Sequence, residues 1–155
     1  AKVCVLMARM AEDVCSRNGS KGVHGLACMR RVFEEALNKI LASPAPDYVS
    51  VCYIIRKLYG LRKNDNEGFA LLEQAWKVLS GVADLPGDEM RWLTATAWNR
   101  GSHLSAFDAP QEASKWMQLA LNLLDATPSL QGRRTEMEHH LQAVSPAPAP
   151  EARAA

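Results

Sequence analysis

His139 and His140 lie between Glu136 and Glu138 on one side and a run of apolar and polar residues on the other, a composition that metal sites use. Consecutive helical residues diverge by about 100° around the axis, so the two imidazoles cannot easily share an ion. The H-E-x-x-H spacing, which puts both rings on one face, is absent. A solvated, charged helix face is the expectation here. "NDNEG", Asn64 to Gly68, hints at a calcium loop, but its first ligand position would be Lys63 and its twelfth Gln74, where a carboxylate is required. A capped helix start explains it better. No G-x-x-x-x-G-K-[ST], G-x-G-x-x-G or G-x-S-x-G run occurs, so no phosphate cradle or nucleophile elbow is written into the chain. His24 and His103 are isolated and read as surface or packing residues. Cys4, Cys15, Cys28 and Cys52 form no C-x-x-C pair and sit among helix-like apolar residues, as small buried hydrophobes of a reducing compartment do. The expectation is therefore no catalytic residue, no metal ligand and no cofactor.

The chemistry that remains is recognition. In "TATAWNRG", Thr94 to Gly101, Trp98 directly precedes an amide, Asn99, and a cation, Arg100. An indole on a helix is ordinarily core, because its burial removes a large apolar area from water. Yet Trp92, Leu93, Ala97, Gly101 and Leu104 already form an adequate inward stripe. Asn99 is a poor helix former whose amide seeks hydrogen bonds. An aromatic beside an exposed amide is the pairing that makes interface hot spots. Trp98, Asn99 and Arg100, with Trp92 and His103 on the same helix, are the candidate partner-binding residues. Trp76 and Trp116 fall at or beside inter-helix packing positions and read as core.

Composition narrows the partner. The chain has 155 residues, 48% apolar and 23% charged, with 18 basic and 17 acidic side chains and a net charge of +1. Charges of both signs are interleaved and the longest basic run is Arg133-Arg134, so no nucleic-acid or membrane-surface partner is expected. No apolar run approaches the roughly 18 residues that span a bilayer. No signal peptide is visible, and the "NGS" sequon at Asn18 reads as chance. With Ala1 at its start and a frayed end, the chain reads as the C-terminal part of something longer.

These residues are positioned by helices. Periodicity and stop signals predict seven, at about Lys2–Arg17, Val23–Ala42, Tyr48–Arg62, Glu67–Ser80, Glu89–Phe107, Ala109–Asp125 and Ser129–Val144. The expected caps are Asp47, Asp65 or Asn66, Asp88 and Asp108. Inward faces are expected from Cys28, Val32, Phe33, Ala36, Leu37, Ile40 and Leu41 in the second helix. Val51, Cys52, Ile55, Leu58 and Tyr59 serve the third, and Leu130, Met137, Leu141 and Val144 the last. The Pro/Ala-rich tail, 145–155, is expected to be extended and disordered. Short links imply antiparallel hairpins. The fifth and sixth helices fit a tetratricopeptide hairpin, with Gly101, Ala113 and Ala120 at the small close-approach positions and Leu104, Met117 and Leu121 at bulky ones. Gly68 and Ala75 repeat the pattern more loosely, with Tyr59 and Leu72 large and Arg56 where glycine is expected. Ala36, Ala75 and Ala120 are 39 and 45 residues apart, against a regular step of about 34. The predicted fold is all-α: antiparallel helical hairpins stacked as a degenerate tetratricopeptide-like solenoid over 1–144.

The segment "WLTATAWNRGSHLSAFDAPQEASKWMQLALNLL", Trp92 to Leu124, resembles the C-terminal portion of the Spo22/Zip4 family. The resemblance rests on Trp92-Leu93, Trp98-Asn99, Gly101, Glu112-Ala113, Lys115-Trp116 and Leu119-Ala120-Leu121, over about 33 residues. It implies a non-enzymatic scaffold of meiotic crossover formation, located on meiotic chromosomes in the nucleus. Such a scaffold holds together crossover-promoting ZMM proteins and contacts synaptonemal-complex proteins. Trp98-Asn99 matches the family's aromatic-asparagine docking element for a helical segment of a central-element partner. The chain is far shorter than family members, its tail carries no family signal, and Arg100 stands where tetratricopeptide repeats have a large apolar residue. Two other readings stay open. One is a general tetratricopeptide adaptor that clamps a peptide carboxylate with Lys57, Asn99 and Arg100. The other is a structural subunit of a large assembly such as a cilium.

Overall fold

The computed structural model describes residues 23–145. The expected Lys2–Arg17 helix, Cys4, Cys15, the Asn18 sequon, the side chain of His24 and the tail beyond Ser145 lie outside the described residues. Within them the elements are α1 (Val23–Leu41), α2 (Tyr48–Gly60), α3 (Asp65–Leu79), α4 (Gly87–Ala106), α5 (Pro110–Leu124), a 3-10 helix (Pro128–Arg133) and α6 (Arg134–Val144). No strand occurs among the described residues, and the fold is all-α.

Helix starts follow local hydrogen-bonding chemistry, and three of them correct the expected caps. Asp47 caps α2 as predicted, accepting from the Ser50 amide at 3.3 Å and the Ser50 hydroxyl at 2.7 Å. At α3 the cap is Asn64, not Asp65 or Asn66. Its extended backbone lets the side-chain oxygen accept from the Glu67 amide at 2.9 Å. Glu67 reaches back to accept from the Lys63 amide at 2.9 Å, so the two residues satisfy orphan N–H groups on either side of the helix start. α4 starts at Gly87, so Asp88 is already in the first turn and the N-cap is Pro86, without a side-chain bond. There the Asp88 charge acts on the helix dipole instead.

Asp108 does not cap α5 either; it ends α4. It adopts φ 58°, a left-handed conformation that aspartate tolerates better than most residues. The amide of Ala109 donates to Leu104 O at 3.1 Å and that of Asp108 to Ser105 O at 3.4 Å, the paired bonds of a Schellman motif. α5 then opens with Pro110 in its first turn, where the missing N–H costs nothing. The expected last helix is also divided. Pro128 to Arg133 form a 3-10 helix, and α-geometry begins only at Arg134.

The α4–α5 hairpin is the tightest pairing. A Cβ added to Gly101 would lie 2.7 Å from Met117 Cγ and 3.1 Å from both Ala113 O and Met117 N. Glycine therefore lets the α4 backbone approach α5, with the fully buried Ala113 and Ala120 completing the seam. Gly68 does similar work against Arg62 and Tyr59, whose nearest atoms would be 2.8 and 3.2 Å from an added Cβ. α1 packs on α2, α2 on α3 and α4, α3 on α5, and α5 on α6. The core runs through Phe33, Ile40, Ile54, Leu72, Leu93, Trp116 and Leu123.

The inward faces correct three expectations. Cys28 is exposed, because the buried stripe of α1 narrows to Phe33, Ala36 and Ile40 and leaves Cys28 round the helix from it. Trp76 is half-buried at the edge of the core, whereas Trp116 is buried with its ring 5.3 Å from Phe69 in an edge-on contact. Leu104 is also only half-buried. The α2 face is buried as predicted, and Ile54 joins it.

Candidate functional site

α4 carries all five candidate residues, but the structure sends them in different directions. Met90, Leu93, Ala97 and Gly101 face the core. Trp92 lies on one flank, with its ring 5.7 Å from Tyr59 at an interplanar angle of 87°. Arg56, the residue found where glycine was expected, lies with its guanidinium 4.7 Å over the Trp92 ring and pairs with Glu89 at 3.3 Å. Trp92 and Arg56 thus join α2 to α4. Arg100 forms an ion pair with Asp65 at the start of α3 and contacts His103 Nδ1 at 3.0 Å. His103 in turn lies 4.6 Å from the exposed Phe107 ring at the end of the helix. These three side chains are engaged within the molecule.

Trp98 and Asn99 are placed otherwise. Trp98 is half-buried, leans on the core and meets His140 of α6 at 5.7 Å between ring centres, 61° between planes. Asn99 is exposed and its amide makes no hydrogen bond among the described residues. Both line a cavity of about 440 Å³ that opens between α4 and α6. Ala95 and Thr94 extend the α4 wall; Leu130 and Met137 form the apolar side opposite. The volume lies in the range of clefts that take a small ligand or a few side chains. Arg91, Arg133 and Glu136 bring charge to its rim.

Two buried hydroxyls hold the base of this cavity. Thr94 Oγ1 donates to Met90 O at 2.9 Å, Thr127 Oγ1 donates to Leu123 O at 2.9 Å, and the two oxygens lie 3.1 Å apart. Two hydroxyl protons serve three contacts, so only two of these bonds form at once. Gln131 adds a bond from Nε2 to Leu124 O at 2.8 Å, tying the 3-10 helix to the end of α5. These contacts set where α6 starts and therefore how its side chains face Trp98.

Sequence reasoning singled out Trp98 and Asn99 but did not foresee their surroundings. The Leu130, Met137, Leu141 stripe was visible; that Leu130 and Met137 would face Trp98 was not, because it depends on the path of the connection after α5. His139 and His140 are both exposed, as a solvated face requires, but His140 also touches the indole. The carboxylate-clamp set is not presented together: Arg100 is turned to Asp65, while Lys57 of α2 lies 5.4 Å from the Tyr53 ring. Burial pushes the Cys52 thiol up to about 12, aided by the charge of Glu89 and opposed by Arg56, so this cysteine stays a neutral thiol. No protein-family model matches the chain, and no solved structure matches it.

Proposed function

We propose that this chain is a non-enzymatic protein-interaction module. It takes a helical segment of a partner protein into the groove between α4 and α6, with Trp98 as the apolar anchor and Asn99 as the hydrogen-bonding latch. What supports this reading is one observation: a half-buried indole and an amide without a hydrogen-bond partner among the described residues open on the same cavity, although the α4 core is already filled by Leu93, Ala97 and Gly101. An anchor of this kind gains apolar burial on binding, and a wrong partner leaves the amide unpaired in a desolvated site. The stacked hairpins are consistent with a degenerate helical solenoid. The resemblance of Trp92–Leu124 to the Spo22/Zip4 family makes the proposed role a scaffold of meiotic crossover formation, in the nucleus. The proposed partner is a synaptonemal-complex central-element or ZMM-type protein. The ion pair of Arg100 with Asp65 disfavours the carboxylate-clamp alternative.

The test is calorimetric titration of a central-element helical segment into the wild-type chain and into Trp98→Ala and Asn99→Asp. Each variant should weaken binding at least about tenfold, the scale of a hot spot. Far-ultraviolet circular dichroism and the melting temperature should stay close to wild type. Unchanged affinity in both variants, or unfolding by both, overturns the reading.

A further inference from the structure

We infer that the segment received by this groove is acidic, with carboxylates accompanying the apolar residue that covers Trp98. The inference rests on the interaction reading above and adds the chemistry of the occupant. Three ionisable groups of fixed charge line the cavity: Arg91 on α4, Arg133 at the end of the 3-10 helix, and Glu136 on α6. Two positive charges and one negative leave a surplus of one positive charge among these three groups.

The state of each arginine sharpens this. Arg134, the neighbour of Arg133, is held by Asp125 at 2.8 Å and Glu138 at 3.2 Å, so it is already neutralised. Arg133 makes no ion pair among the described residues and is exposed. Among the described residues Arg91 pairs only with Asp88, at 3.5 Å, with the aspartate 92% exposed, a contact that solvent screens heavily. The two available guanidiniums line the groove from different elements, Arg91 from α4 and Arg133 from the end of the 3-10 helix, together with the apolar Trp98 and Met137. A guanidinium presents paired N–H donors that fit a carboxylate. An apolar residue accompanied by carboxylates complements this lining, and a basic segment is repelled by it. Rim charges of this type act mainly on the association rate and on partner choice.

The probe is a displayed library of helical peptides, randomised in charge around one apolar anchor and selected on the full chain. Winners are then measured by fluorescence anisotropy against the wild type, Trp98→Ala and the double variant Arg91→Glu/Arg133→Glu. The expected winners carry Asp or Glu near the anchor and lose affinity with Trp98→Ala. They should bind the double reversal at least about tenfold more weakly, chiefly through a slower on-rate, and weaken steeply with added salt. Peptides with Lys in place of those carboxylates should regain binding to the double reversal. Winners that need Trp98 but are neutral or basic, or that ignore the arginine reversals, overturn the acidic inference and leave the groove reading standing. An absence of Trp98-dependent winners overturns both. Self-association of the chain that depends on Trp98 assigns the groove to a second copy and overturns the inference.

Discussion

Replacing Gly101 with alanine tests how the hairpin that carries the site is held together. Two effects oppose each other. Alanine is favoured over glycine inside a helix by about 0.8–1 kcal/mol, so on propensity alone the change stabilises. But the new methyl would sit 2.7 Å from Met117 Cγ, with Ala113 O and Met117 N both at 3.1 Å. Met117 is fully buried, and two of the three neighbours are backbone atoms that move only if the helices separate. Overpacking costs about 1–3 kcal/mol, and the two backbone neighbours place this case in the upper half, about 2–3, so the net expectation is a loss of about 1–2 kcal/mol. For a chain of this size that lowers Tm by about 2–8 °C. Urea unfolding should show an earlier midpoint with an unchanged slope. Met117→Ala in the same background removes only the Cγ contact and should relieve that part of the penalty, a coupling of about 0.5–1 kcal/mol in the double-mutant cycle. A Gly101→Ala variant as stable as wild type, or more stable, refutes the close approach of α4 and α5 and with it the placement of Trp98.

Two further outcomes follow from the environments of single groups. In the native chain, a maleimide should label the exposed Cys28 readily and leave Cys52, a buried neutral thiol raised to about 12, untouched until denaturant is added; labelling of Cys52 at the native rate of Cys28 would contradict its placement, and mass mapping of the labelled peptides separates the two. Asp47 and Glu67 are held below their ordinary values of 3.8 and 4.5, the first by the Ser50 hydroxyl and the second by the Lys63 amide and then Arg30. Depressed carboxylates contribute stability that is present above the ordinary value and lost as pH falls through the lowered one. Urea midpoints should therefore decline below about pH 4, and Asp47→Asn with Glu67→Gln should flatten that decline.

The helices and their hairpin seam were legible because both are local or nearly so. A 3.6-residue apolar rhythm marks α2, and the spacing of Gly101, Ala113 and Ala120 marks a close crossing. Aspartates next to helices were misread at three of the four predicted caps. An aspartate can cap, sit in a first turn or take a left-handed turn, and the backbone path chooses among these. Asp88 and Asp108 illustrate the last two. Cys28 was misplaced because the α1 sequence is apolar over a broader arc than the fold buries. Trp98 and Asn99 could be singled out as surplus to the α4 core. The opposite wall of their groove could not, since it comes from Leu130, Arg133 and Met137 by way of a 3-10 helix. The partner of Arg100 was equally hidden: Asp65 lies 35 positions away in sequence.

The groove has two walls of unequal strength. α4 is locked to α5 along its length, whereas Met137 is the buried residue of α6, which otherwise leans on half-buried Leu141. The site therefore exists only while α6 is docked. Apparent affinity is the intrinsic affinity multiplied by the docked fraction, and partner binding must in turn raise that fraction by the same factor. With so little of it buried, α6 is expected to exchange as a separate cooperative unit of lower stability than the α4–α5 hairpin. Its amides become the natural reporter of occupancy: slow exchange along Arg134–Val144 in the presence of a partner registers binding at Trp98, one helix away.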